Sequence, residues 1–189
     1  MSELPPLDLA REALREHILL HSLKTGSFTL KSGKLSNWFL DSKQTACRSD
    51  GILLVSDVAL AMLPPEIDAI GGLTMGADPV AFGIAAVAAT RGRVLRSFSV
   101  RKESKDHGIT GRIAGALQPG DRVAIVEDTV TRGTSLFEAV EVVRAFGATP
   151  VFITVIVDRG GTCAAMATEA KITYQPMLSA PDLGYAFGS

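Results

Sequence analysis

Two runs, DRVAIVEDT (121–129) and PVFITVIVD (150–158), bracket the segment LFEAVEVVRAFG (136–147). This triplet constrains the fold more than any other feature. A strand with one wet face alternates polar and apolar residues; one that is apolar almost throughout is buried on both faces. The intervening segment repeats its apolar residues at helical spacing and meets Gly147, which predicts a helix over 136–147. Strand, helix, strand in that order is a βαβ unit, with its two strands parallel. A sheet buried on both faces also needs helices on its other side, and the rest of the chain must supply them.

The remaining segments do so. Residues 8–23 place Leu9, Ala13, Ile18 and Leu19 on one side of an amphipathic helix, with Asp8 as N-cap. Residues 27–43 alternate and turn at Ser32-Gly33, which predicts a hairpin or two short strands. A helix is expected over 51–63, capped by Ser49-Asp50 and stopped by Pro64-Pro65. A short buried strand follows at 67–73, then an apolar helix from Pro79 to Thr90 with Pro79 at its first position. Residues 93–102 read as a strand and 103–112 as a polar, glycine-punctuated loop. The expected fold is α/β, with a mostly parallel central sheet flanked by helices.

Composition excludes several classes of function. A formal net charge of −1 provides no global field for nucleic acid or an anionic membrane. The longest apolar run, near residues 79–90, is too short to span a bilayer. The start of the chain is acidic, without a basic-then-apolar leader. Two cysteines without CxxC or metal-ligand spacing fit a reducing cytosol, so a cytoplasmic protein is expected. At 189 residues the chain suits one domain, 1–189.

In an open parallel sheet, ligands sit outside the carboxyl ends of the strands. Polar clusters fall at such ends here: Leu73–Asp78, Glu127–Ser135 and Asp158-Arg159, with the 101–112 loop following a fourth strand. In the second cluster, VAIVEDTVTRGTS (123–135), a tight turn enters a helix, and successive backbone N–H groups there form an anion nest. Thr131, Thr134 and Ser135 add hydroxyls, and Gly133 lets the backbone approach closely, so a phosphate fits 131–135. Glu127 and Asp128, expected near solvent, can accept hydrogen bonds from sugar hydroxyls; the alternative is that they end the strand and cap the next helix. Neither the Walker pattern nor GxGxxG occurs.

The whole stretch resembles the 5-phosphoribosyl 1-pyrophosphate (PRPP) signature of type I phosphoribosyltransferases. The resemblance implies that Glu127 and Asp128 hold the ribose 2- and 3-hydroxyls, and that Thr129, Val130, Thr131, Arg132, Gly133, Thr134 and Ser135 form the 5-phosphate turn. Arg132 departs from the small residue common there. RKESKDHG (101–108) contains Arg101, Lys102, Lys105 and His107, either a solvated basic loop or a lid for a departing pyrophosphate. It resembles the R-K-x-x-K-x-H-G loop of the orotate phosphoribosyltransferase family, which implies a homodimer with the 101–112 loop shared across the interface. On the same resemblance Lys105, Lys102 and Asp128 are the catalytic residues.

FTLKSGKLSNWFLD (28–41) is similar to the family's F-x-L-x-S-G-x-x-S segment, which places Lys31 and Phe39 at the orotate site beside Thr131 and Arg159. Trp38 and Phe39 fit a core equally well. Leu40 replaces a second Phe of many members, and Met75-Gly76 replace a Tyr-Lys pair in the pyrophosphate loop. Asp78 either caps its helix or holds a water of bound Mg²⁺. Within the type I phosphoribosyltransferase fold, residues 1–45 would form a small hood. The implied reaction takes orotate and PRPP to orotidine 5′-phosphate and pyrophosphate with Mg²⁺ as cofactor, in UMP biosynthesis. The ion would be held mainly by PRPP and water, with no protein metal ligands. A purine phosphoribosyltransferase and a PRPP-sensing regulator are the rival readings. The first gives no reason for the 101–108 string, and the second lacks a basic nucleic-acid surface.

Overall fold

The computed structural model describes residues 4–29, 35–105 and 111–189, with backbone alone for Ser104 and Lys105. Lys31, His107 and the Lys105 side chain therefore fall outside the described residues. Helix α1 (Leu7–His21) leads into an antiparallel pair, β1 (Leu23–Thr29) and β2 (Leu35–Leu40), which forms a sheet of its own. A short helix α2 (Lys43–Ala46) and helix α3 (Ser49–Met62) follow. The main sheet then begins with β3 (Ala69–Leu73), α4 (Ala77–Thr90), β4 (Arg96–Lys105) and β5 (Gly111–Gly115). It continues through β6 (Arg122–Val130), α5 (Thr134–Phe146), β7 (Thr149–Asp158), α6 (Cys163–Ala170), β8 (Thr173–Tyr174) and β9 (Leu178–Ser179).

The main sheet has the order β5-β4-β3-β6-β7-β8, with β9 also on β7, and all its pairings are parallel except β4–β5. Successive residues of β6 serve opposite faces: Ala124 and Val126 pack with α1, α3 and α4, while Val123 and Ile125 pack with α5 and α6. This two-sided burial is the reason the strand reads as unbroken apolar sequence. The chain leaves β3 through α4 toward β4, and leaves β6 through α5 toward β7 on the other side. The two crossovers diverge between β3 and β6, so a crevice opens at the carboxyl ends of these strands.

Several local expectations change. The buried stripe of α1 is Ala10, Leu14, His17 and Ile18, while Leu9 is 66% exposed. A stripe at i, i+4, i+7 and i+8 is one helical face; Leu9 lies one position off it. Asp8 does not cap α1 and neither Ser49 nor Asp50 caps α3, whose N-cap positions are Pro6 and Arg48. Helix α4 starts at Ala77, two residues ahead of Pro79, still within the first turn where a missing N–H costs nothing. The region expected as a loop over 103–112 contains the end of β4 and the start of β5, paired antiparallel at Lys105 and Gly111. Residues 103–105 and 111–112 are thus strand rather than loop, and 106–110 lie outside the described residues. The chain from 159 onward adds α6, β8 and β9, too short or too polar to stand out in sequence.

Candidate active site

Three strand ends meet at the crevice. At the end of β3, Gly71 and Gly72 bring the strand so close to Phe98 and Val126 that a Cβ at either would strike a carbonyl oxygen. The loop that follows carries Gly76 against the acids of β6, where a Cβ would run into the Glu127 carboxylate. Small residues here are therefore a steric requirement of the β3–β6 approach. Asp78 does not cap its helix: it accepts hydrogen bonds from Thr74 Oγ1 at 2.6 Å and Ser99 Oγ at 2.7 Å, tying the loop to β4.

Glu127 and Asp128 are 8% and 6% exposed, so the expectation of acids near solvent is corrected. Burial in the β3–β6 approach pushes the Glu127 carboxyl up to about 8, and the neighbouring Asp128 charge adds to it. Burial pushes Asp128 the same way. Hydrogen bonds outweigh it and hold Asp128 below the usual carboxylate value: Lys43 Nζ at 2.6 Å and Ser42 Oγ at 2.8 Å both donate to Oδ2. The Thr129 N–H donates to Oδ1 at 2.7 Å. Two adjacent acids are thus driven apart, one toward the neutral and one toward the charged form. Lys43 was not singled out in sequence, where it sits 85 residues away in a short helix.

After Thr129, the turn Thr131–Ser135 is built on Gly133, whose φ of 83° lies in the left-handed region. A Cβ there would also approach Cys163 Sγ at 2.9 Å. Helix α5 begins at Thr134 with no side chain capping its first N–H groups. Thr131, Arg132, Thr134 and Ser135 are exposed, and Val130 and Gly133 buried. Free N–H groups at an exposed helix start are what an anion needs. The back of the turn is fixed, since Gly160 packs on the Thr131 carbonyl, which also accepts from Thr162 Oγ1 at 3.0 Å.

At the end of β7, Asp158 is committed to structure. Its Oδ1 accepts the N–H groups of Gly160 and Gly161, each at 2.9 Å, and its Oδ2 accepts Tyr174 Oη at 2.7 Å. Arg159 projects from this fixed turn. Its guanidinium lies 4.2 Å from the centre of the Trp38 ring, which stacks at 4.4 Å on Tyr185. Burial lowers its pKa, and its Nε has no hydrogen-bond partner among the described residues. Trp38 is fully buried and donates to Ser189 Oγ at 2.9 Å. Phe39 points the other way from β2, 39% exposed and paired with Phe28. Trp38, rather than Phe39, therefore faces Arg159. The end of β4 supplies Arg101, half-buried, and Lys102, exposed.

No protein-family model matches the chain. It is similar to orotate phosphoribosyltransferases of Aquifex aeolicus, 42% identical over 81% of this chain and 86% of that one, and of Streptomyces avermitilis, 39% identical over 94% and 99%. Among solved structures it resembles Mycobacterium tuberculosis orotate phosphoribosyltransferase in complex with PRPP, with a TM-score of 0.76 and 30% identity over 93% and 99% of the two chains. The same enzyme with Fe(III) dicitrate gives a TM-score of 0.80 at 34% identity, with the same coverage. Such likeness over nearly the full length, with acids, turn and arginine at the strand ends where the sequence resemblance put them, decides the family: the chain belongs to the orotate phosphoribosyltransferases.

Proposed function

We propose that the crevice between β3 and β6 transfers the 5-phosphoribosyl group of PRPP to orotate, giving orotidine 5′-phosphate and pyrophosphate. The observation that carries the residue assignment is the Glu127–Ser135 run, two buried acids followed by an uncapped helix start. The 5-phosphate sits on the N–H groups and hydroxyls of 131–135. The ribose hydroxyls face Glu127 and Asp128, which accept from them. Lys43 screens Asp128 and keeps it ionised. Arg159 takes the orotate carboxylate, a bidentate acceptor that matches its fork. Its unpartnered Nε and flat backing on Trp38 support this role. Lys31 and Thr131 complete the orotate site in this reading, with Trp38 in the aromatic place expected of Phe39.

Displacement at the anomeric carbon builds positive charge on the sugar and negative charge on the leaving pyrophosphate. No covalent nucleophile is required. The protein aligns the two substrates and offers Arg101, Lys102, Lys105 and His107 to the pyrophosphate as it leaves. Mg²⁺ is the proposed cofactor. Both Asp78 oxygens and Asp128 Oδ2 are already taken by protein donors, which fits an ion held mainly by PRPP oxygens and water. When bound, it would neutralise pyrophosphate charge. We further propose one phosphoribosyltransferase domain over 1–189, with about 1–45 as a hood. The β4–β5 arm would serve the neighbouring subunit of a homodimer. A cytoplasmic location fits the two free thiols, Cys47 and Cys163. No described helix is long and apolar enough to cross a membrane.

The test mixes protein, orotate, PRPP and Mg²⁺ and follows orotate absorbance. Lys105→Ala is expected to lower kcat by about 10²-fold, the scale of one lost transition-state contact. Mixing it with inactive Asp128→Asn should restore part of the activity, because one site of each mixed dimer combines intact acids with an intact arm. Heterodimers that stay inactive would leave each arm serving its own subunit. Adenine or hypoxanthine consumed in place of orotate would favour a purine acceptor.

A further inference from the structure

Away from the strand ends, His17 and His21 stand one turn apart on α1, and Asp50 faces them from the first turn of α3. Among the described residues this is the one group of three His, Cys, Asp or Glu side chains whose ligand atoms all lie within 4.8 Å of one another. His17 is 9% exposed, and its Nε2 is buried with no hydrogen-bond partner among the described residues. An orphaned ring nitrogen in a folded interior needs an explanation. The nitrogen lies 3.4 Å from Asp50 Oδ2, ion-pair range for a protonated ring but without hydrogen-bond geometry. Two ligand atoms bound at ~2.0–2.1 Å to a tetrahedral ion stand about 3.4 Å apart.

The surroundings order the ring for such use. His17 Nδ1 lies 3.1 Å from Thr45 Oγ1, which lies 2.6 Å from Ser22 Oγ. With the proton on Nδ1 donated to Thr45, the Nε2 lone pair is left facing Asp50. A ligating histidine is usually oriented in this way through its other nitrogen. Gly51 leaves room for the ring, since a Cβ there would stand 2.8 Å from His17 Cε1. Asp50 Oδ1 accepts from Arg48 Nε at 3.3 Å, which turns Oδ2 inward while placing one cation on the outer side. The His17 and His21 rings are 4.5 Å apart, and one ligand atom from each lies within 4.8 Å of the other and of an Asp50 oxygen.

We propose that His17, His21 and Asp50 form a binding site for a divalent transition-metal ion, with two imidazole nitrogens and one carboxylate oxygen as ligands and water completing the shell. The ligand set suits Zn²⁺ and disfavours Mg²⁺, which takes oxygen ligands. The ion would fasten the last turn of α1 to the first turn of α3. It would also brace α2, because Thr45 belongs to α2 and the same helix presents Lys43 to Asp128.

The test uses untagged, metal-stripped protein and Zn²⁺ alone, in competition with a chromogenic chelator. One Zn²⁺ per chain is expected, with a Tm rise of roughly 5 °C or more at saturating metal. His21→Ala and Asp50→Asn alter accessible groups and should each weaken Zn²⁺ binding at least ~100-fold, beyond the 10–100-fold typical of changes one shell out. A wild-type crystal grown with Zn²⁺ locates the ion by anomalous scattering without relying on any variant. An ion among the three side chains supports the site. No uptake at micromolar Zn²⁺, equal affinity in both variants, or an ion only at the strand ends overturns it. None of these readouts depends on turnover, so the result is separable from the proposed reaction.

Discussion

The ends of β6 and β7 both face the crevice, yet they are assembled in opposite ways. At β6 almost everything comes from one stretch of chain: the acids, the left-handed glycine and the uncapped helix start all lie within 127–135. At β7 only Asp158 and Arg159 are local. The ring beneath Arg159 comes from β2, the ring beneath that from Tyr185, and the hydroxyl holding Trp38 from Ser189. In the proposed site a compact run of sequence would bind the phosphate, because backbone N–H groups would do most of the binding. The proposed reading of a flat, charged acceptor would draw on side chains from distant segments, so that half of the site would depend on the whole fold.

The sharpest way to break this comparison is at the acids. Asp128→Asn is expected to lower kcat/KM for PRPP by about 10³-fold, because the ribose loses a charged acceptor and Lys43 loses its partner. Thr134→Ala in the same turn should change it far less, since the N–H groups remain. Steady-state kinetics on both variants decides the matter. Equal losses would mean that side chains, not backbone, carry the phosphate turn.

Arg159→Ala tests the other end. The orotate KM should rise by roughly 10²-fold, as expected for one charged hydrogen-bonding partner, with the PRPP KM nearly unchanged. Arg159→Lys should rescue little, because a point charge does not reproduce the fork. A parallel rise in both KM values would place Arg159 at PRPP instead.

Trp38→Leu sharpens the claim that distant segments build this end. The cation–π contact contributes roughly 0.5–2 kcal/mol, so the orotate KM is expected to rise about 2- to 30-fold. The PRPP KM should stay put, and Tm should fall because a fully buried ring is removed. An orotate KM unchanged at a lowered Tm would reduce Trp38 to packing.

What could be read in the sequence divides along the same line. The βαβ core was legible because strands buried on both faces lose their alternation, as in Val123–Val126. The 131–135 turn was legible because glycine and hydroxyls stand next to one another. Lys43 was not, because a lysine in a four-residue helix carries no local sign that it will meet Asp128. Nor could alternation settle Trp38 against Phe39: period two fixes that the neighbours point opposite ways, but which face meets β7 is decided by how the β1–β2 pair docks. Strand β5 is not legible either, because it is short and bounded by glycines.

The smallest expected effect separates the two acids by pH. Glu127 titrates near 8 in the folded protein against about 4.5 in an unfolded chain. Between those values the unfolded chain has released a proton that the folded one keeps, so stability of the substrate-free protein falls as pH rises through the window and levels off above it. Asp128 has the opposite sign: its folded pKa is depressed below 3.8, so its contribution is present above that value and lost as pH falls through the folded pKa. Glu127→Gln removes the first slope. Its Tm should therefore gain on the wild type from pH 5 to 8, by a few degrees, and run parallel above about 8.5. Asp128→Asn should instead lose most against the wild type at neutral pH and least in acid. Thermal melts from about pH 2 to 9 without substrate read both, the acid arm lying below pH 4. Two variants whose curves track the wild type at every pH would show that the acids share one environment, and that burial against Gly76 and the grip of Lys43 do not set them apart.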